Sequence, residues 1–293
     1  MANVILARPN WVAGSNFATP SIGAAYGSFE ASMPASEILT PYLAEPARST
    51  DATAASTKVR INLGLPRNVA VVAIPKSNVS VDGQIRITAY SDSGYSVAVY
   101  EGALVDYWSD VYPWGSRPWG SGGLMSAKIT PEDADGYPAV YYVVLPAVVI
   151  AQYWQIEFVD EANADGYVEI ARVVLAPAWQ SSINFLPGQS SIQWETASTV
   201  RKGRTGVRFV DRKPNRRVTR LAFDFLGEDE AFAQPFEMAR KEDLDGEVFI
   251  ITDPDDTALA LQRAFLANLR VLPSLSYGIV DTMSVAVELE EAL

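Results

Sequence analysis

The chain is predicted to be mainly β, in two β domains at about 1–177 and 178–293. Three observations carry this: short runs in which apolar and polar residues alternate, turn residues between those runs, and a single stretch with convincing helical spacing. The segment Ala151–Trp179 anchors the reading. Trp154, Ile156 and Phe158 alternate with Gln155 and Glu157, the period-two pattern of a half-buried strand. A second strand is expected from Tyr167 to Leu175, after an acidic turn, Asp160–Gly166, that ends in Asp165-Gly166. The two are expected to form a hairpin that closes the first domain, with Pro177 as the hinge to the second.

From the N-terminus, Val4–Leu6 reads as an edge strand, and Trp11, Tyr26 and Phe29 as residues that pin loops to a sandwich. Val59, Ile61 and Leu63 alternate with Arg60 and Asn62, and Gly64-Leu65-Pro66 is expected to turn the chain. Val69–Ile74 is continuously apolar, as in a strand covered on both faces. Ser80–Gly83 turns again before the alternating Ile85 and Ile87. The apolar run Ala139–Ala151 is too short to span a bilayer and is split by Pro146, so two buried strands are expected there. In the second half Ser191–Glu195, Val207–Val210, Arg217–Phe225, Glu247–Ile251, Ala264–Val271 and Ser284–Glu290 read as strands. Gly227–Lys241 reads as a helix, placed near 228–241. Its acids Glu228, Asp229 and Glu230 favour the start, and Arg240 and Lys241 favour the end. Phe232 and Phe236 share a face, and Pro235 is expected to shorten or kink it.

Hydrophobic residues make up 48% of the 293 and charged residues 20%, so the chain is packed rather than disordered. Cysteine and histidine are both absent, which removes disulfides, thiol nucleophiles, Cys/His zinc sites and imidazole catalysis. No nucleotide-binding glycine motif is present, and no cofactor is expected. The acids Asp133/Asp135 and Asp160/Asp165 could act in glycoside hydrolysis, and those at 160–165 or Asp253, Asp255 and Asp256 could hold Ca²⁺, but their neighbours are turn residues. Solvated turn acids are the expectation, with no metal and no catalytic residue.

Charge is unevenly placed within a net of −12. Residues 201–220 hold nine of the 23 Lys and Arg and one of the 35 acids, leaving 14 basic against 34 acidic residues elsewhere. Arg201, Lys202, Arg204, Arg208, Arg212, Lys213, Arg216, Arg217 and Arg220 therefore form a candidate strip for an acidic neighbour. Overall acidity argues against nucleic acid. A second candidate surface is the irregular aromatic run with Tyr107, Trp108, Tyr112, Trp114, Arg117 and Trp119, which fits no strand or helix period. It is expected to be a protein interface, with a carbohydrate platform as the alternative.

Several segments, in order, resemble a family of tailed-bacteriophage virion proteins from the tail tip or baseplate of long-tailed phages and prophages. They are ILARPNW at 5–11, INLGLPRNVAVVAIPKSNVS at 61–80, YWQIEFVDEANADGYVEIARVVLAPAW at 153–179, FVDRKPNRRVTRLAFDFLGEDEAF at 209–232, and DPDD, FLANLR and VAVELEE near the end. The first part is also similar to a galactose-binding-like jelly roll, through its INLG-type strand and late YWQI…GYVEI pair. The resemblance implies a jelly-roll β-sandwich followed by a smaller β domain with one short helix. It implies a non-enzymatic virion component, present in several copies and contacting copies of itself and other tail proteins. Such a protein is assembled in the bacterial cytoplasm without membrane insertion; MANVILARPNW at the start shows no signal-peptide pattern. The alternative is a carbohydrate-binding module that attaches a particle to a host-surface glycan.

Overall fold

The computed structural model describes residues 2–13, 20–23, 26–112, 127–130, 139–279 and 281–293. The chain is mainly β, as the alternation predicts, and its strands fall in two compact units: Met1–Gln180 with Phe249–Phe265, and Ser181–Val248 with Leu266–Leu293. Among the described residues no helix is long and apolar enough to cross a membrane.

The first unit is an antiparallel sandwich of the jelly-roll class. Its strands are β1 (Ile5–Ala7), β2 (Ser21–Ile22), β3 (Ala47–Arg48), β4 (Lys58–Ser77), β5 (Gln84–Tyr90), β6 (Ala98–Glu101), β7 (Val105–Asp106), β8 (Ala139–Val159), β9 (Glu169–Ile170), β10 (Val174–Ala176) and β11 (Ala178–Gln180). One sheet runs β3-β9-β4-β8-β5-β6, with β2 and β10 added to β4 and β7 to β5. Its centre is the pair β4–β8, in register from Lys58↔Glu157 to Ser77↔Ala139 through three shifts. Every second residue points inward, so Val59, Ile61, Ile85, Ile87, Trp154, Ile156 and Phe158 make one buried layer. Each such side chain contributes about 1.5–3 kcal/mol relative to exposure.

Four expectations need correction. Gly64-Leu65-Pro66 does not reverse the chain: β4 continues through it, and Gly64, at φ 78°, absorbs a register shift between Asn62 and Arg67. Pro146 likewise lies within one 21-residue strand rather than between two. The strands at 153–159 and 167–175 do not form a hairpin. β8 pairs with β4 and β5, whereas β9 pairs with β3 and touches β4 at Ser77, and β10 pairs with β4. The outer edges of β4 were already open to those short strands, and local alternation carries no information on which edge is taken. The N-terminal strand is not an edge either, because β1 is paired on both sides, with β11 and with Phe249–Ile251.

The second unit contains β12 (Ser191–Thr196), β13 (Thr199–Lys202), β14 (Arg208–Asp211) and β15 (Asn215–Gly227). A helix follows as α1 (Glu228–Ala231), a widened turn (Phe232–Phe236) and α2 (Glu237–Glu242). Pro235 neither ends nor shortens this helix; the wider turn accommodates the missing N–H of the proline ring. The rings of Phe232 and Phe236 meet edge to face at 5.4 Å, as their spacing predicts. β16 (Glu247–Ile251) and, after α3 (Ala260–Arg263), β17 (Ala264–Val271) each pass between the units, and β18 (Leu275–Ile279) and β19 (Thr282–Glu291) end the chain. Within this unit β15 lies between β12 and β19, and β17 and β18 share the other side of β19. Met283, Val285, Val287 and Leu289 alternate inward along β19.

Candidate interaction surface

The basic strip divides into two parts with different environments. Arg216, Arg217 and Arg220 lie on β15, opposite the acids of β19. Arg216 pairs with Glu290, and Arg220 Nε lies 3.8 Å from Glu288. Arg217 is 2% exposed, and its backbone N–H and Nε both donate to Glu291 Oε2 at 2.9 Å. Its guanidinium also lies 5.8 Å from the ring centre of Trp194 on β12. Arg217 is thus an internal partner of the last strand, whereas Arg216 is part-exposed and Arg220 remains exposed beside its acid. The expectation is corrected for Arg217, whose neutralising acid lies 74 residues away in sequence.

The other six, Arg201, Lys202, Arg204, Arg208, Arg212 and Lys213, lie on or beside the hairpin β13–β14, and all are exposed. This hairpin is a separate two-stranded sheet. Its tip closes through Gly203 N–H to Val207 O at 2.8 Å and through Gly206, which takes a left-handed φ of 83°. Ser198 latches its base, accepting from Lys213 N–H at 2.9 Å. All eight strand residues are exposed, including Val200, Phe209 (62%) and Val210 (55%). Val200 lies directly opposite Val210, and Lys202 directly opposite Arg208, so two like charges stand side by side at the free end. A lone two-stranded hairpin is marginal in water, and a directly opposed like-charge pair weakens it further.

Two residues of the aromatic run, Tyr107 and Trp108, are buried rather than exposed. Tyr107 is 1% exposed; its hydroxyl accepts from Ser77 Oγ at 2.9 Å and donates to Ala139 O at 3.3 Å. Its ring packs against Tyr141 and Phe158, and burial raises its phenol pKa well above the ordinary value. The same burial pushes Tyr141 up to about 12. Trp108 is also buried and donates from Nε1 to Val79 O at 3.0 Å. Both residues close an end of the sandwich core, which explains aromatic side chains at spacings that fit no strand face. Tyr112 is half-buried, with its N–H donating to Ala127 O. Trp114, Arg117 and Trp119 lie outside the described residues, as do Asp133 and Asp135.

The turn acids are engaged within the fold. Asp160 is buried and accepts from Ser80 and from Asn163 Nδ2 at 2.8 Å, and Asp165 accepts from Asn78 at 3.0 Å. Asp253 and Asp256 both pair with Arg263, at 3.0 and 2.8 Å.

One constellation was missed in the sequence. On the outer face of the β4–β8–β5 layer the register makes three cross-strand rows: Lys58, Glu157 and Arg86; Arg60, Gln155 and Thr88; Asn62, Tyr153 and Tyr90. Tyr26 and Tyr95 cover them, and the Arg60 guanidinium sits 3.8 Å from the Tyr26 ring centre and 4.1 Å from that of Tyr95. Glu157 is buried and accepts from Tyr26 OH at 2.9 Å and Arg86 Nε at 2.6 Å, with Lys58 Nζ at 3.3 Å. Burial opposes its ionisation. Hydrogen bonds from Arg86 and Tyr26, with the charges of Arg86 and Lys58, outweigh this and hold its carboxyl below the usual carboxylate range. Burial and the same hydrogen bond raise the Tyr26 phenol. The available signal was the alternation itself, whose polar positions read as solvent-facing because nothing local announces the tyrosine cover.

No family model and no curated protein matches the chain. Among solved structures it is similar to the family 32 carbohydrate-binding module of C. perfringens NanJ, solved with galactose, at 17% identity and a TM-score of 0.35, covering 54% of this chain and 93% of that one. It is similar to the lectin domain of lectinolysin, solved with Lewis B antigen, at 13% identity and a TM-score of 0.35, covering 60% and 99%. It is also similar to a chitosan-binding module from a Paenibacillus sp. IK-5 chitosanase/glucanase, at 13% identity and a TM-score of 0.34, covering 58% and 100%. These three are glycan-binding domains and none is a tail protein.

Proposed function

We propose that the chain is a non-enzymatic assembly protein, built in several copies into a larger particle, and that hairpin β13–β14 is the element that grips its neighbours. The observation that carries this reading is a separate two-stranded hairpin whose eight strand residues, apolar and basic side chains together, are all exposed among the described residues. Exposed apolar side chains gathered on one element mark a docking site, and strand addition supplies backbone hydrogen bonds to such a site. The polar groups elsewhere are occupied with each other: Glu157 is enclosed by two cations and a phenol, and Asp160 by turn donors. The particle is the one the sequence resemblance implies, the tail tip or baseplate of a long-tailed phage virion. The test replaces Arg201, Lys202 and Arg208 with Glu in a tagged chain made in cells that produce the particle. The variant is expected to fold and to be absent from purified particles. Incorporation equal to wild type would overturn the reading.

A second reading, attachment to a host-surface glycan, is favoured by a different feature. Half-buried Tyr90, Tyr95 and Tyr153 pack edge to face at 5.4 and 5.6 Å beside the amides of Asn62 and Gln152. Aromatic faces next to amide groups suit stacking and hydrogen bonding to a sugar ring. A saturable glycan-array signal that Tyr95→Ala abolishes would promote this reading.

A further inference from the structure

The charge that the hairpin requires of its partner is present on this chain itself, at an open edge of the first unit. β6 ends the sheet, bonded on one side to Thr88–Tyr90 of β5, and β7 continues the same border against Gln84 and Ile85. Among the described residues no strand covers their outer side. Val97 (57%), Val99 (49%), Leu104 and Val105 are exposed along it. Residues 91–112 hold four acids, Asp92, Glu101, Asp106 and Asp110, and no Lys or Arg. An open strand edge with exposed apolar side chains is a template for strand addition.

From this juxtaposition we infer that the partner of the hairpin is a second copy of this chain, and that β13–β14 of one copy adds to the β6–β7 edge of the next. The inference rests on the reading that the hairpin is the gripping element, and it names what is gripped. The complementarity is threefold. Each side offers four-residue strands, Ala98–Glu101 against Thr199–Lys202 or Arg208–Asp211. Each offers exposed valines, Val97 and Val99 against Val200 and Val210. The opposed Lys202 and Arg208, which repel each other in the isolated hairpin, meet the exposed Glu101 across the join, whereas Asp106 beside it is already held by Lys128 at 3.3 Å. A second hairpin is a poor partner, since it would bring the like charges together. A donor hairpin and an acceptor edge at different places on one chain let every copy both give and receive a strand.

The absence of native cysteine makes the test direct. Val99→Cys and Val200→Cys are made as separate full-length chains, both at exposed positions, and oxidised alone and as an equimolar mixture, with sedimentation run on wild type at the same concentration. The mixture is expected to give a disulfide-linked dimer at about tenfold or more the yield of either variant alone, falling as salt screens the charges. Glu101→Lys is expected to weaken self-association by about tenfold, and pairing it with a Lys202→Glu chain to restore it. Wild type that stays monomeric, or that associates while the mixture cross-links no better than the single variants, overturns the inference. Neither result touches the particle-incorporation test, which decides separately whether the hairpin grips any partner.

Discussion

The β4–β8 pair and the β13–β14 hairpin are both antiparallel ladders, yet they are used in opposite ways. Where Lys58–Asn62 of β4 meets Tyr153–Glu157 of β8 the alternation sorts side chains between a buried face and a covered polar face, and both strands are flanked by further strands. In β13–β14 there is no such sorting: each face mixes apolar and charged residues, and among the described residues both stay exposed. A ladder is stable where its side chains are buried and paired; one that lacks both depends on a partner. The contrast separates residues that hold the fold from residues available to a neighbour.

The largest effects are therefore expected in the first group. Tyr107→Ala removes a buried ring and two hydrogen bonds, and should cost about 3–5 kcal/mol by denaturant titration. A loss under about 1 kcal/mol would return Tyr107 to the surface. Next, Arg217→Met leaves Glu291 buried without its guanidinium, with an expected loss of about 3 kcal/mol. By contrast, reversing Arg201, Lys202 and Arg208 should change stability by no more than about 0.5 kcal/mol. Equal losses in the two sets would remove the distinction between internal and outward-facing arginines.

A smaller effect is expected from pH. Glu157 is held below its ordinary value of 4.5, so its contribution is fully present above that pH and is lost as pH falls through the lower folded value. Melting temperature should decline as pH drops below about 4.5, and Glu157→Gln should make that decline shallower. Asp51 and Asp92, also lowered through hydrogen bonds to their own turns, leave a residual slope. An unchanged slope in the Glu157→Gln chain would show that the covered polar face contributes nothing to acid stability.

The sequence was most legible where burial and period agree. The alternation of β5, β15 and β19 and the charged ends of the helix at 228–242 were sufficient to place those elements. Pairing was not legible, because a strand edge carries no side-chain signature; β8 looked like half of a hairpin with the chain that follows it. Gly64 reads the same whether it reverses a chain or bulges it. The basic strip divides for a similar reason: Arg217 has Glu291 across a strand and Arg208 does not, and that acid lies at the far end of the chain. Tyr107 and Trp108 misled because irregular aromatic spacing was equated with exposure, although a core can be capped from a loop.

The central claim is that β13–β14 is completed by a partner, and amide hydrogen exchange tests it most directly. In the isolated chain the amides of 199–211 are expected to exchange far faster than those of β4 and β8, and in assembled material to slow by about tenfold or more. Protection of the hairpin already in the isolated chain, or exchange unchanged on assembly, would contradict the account.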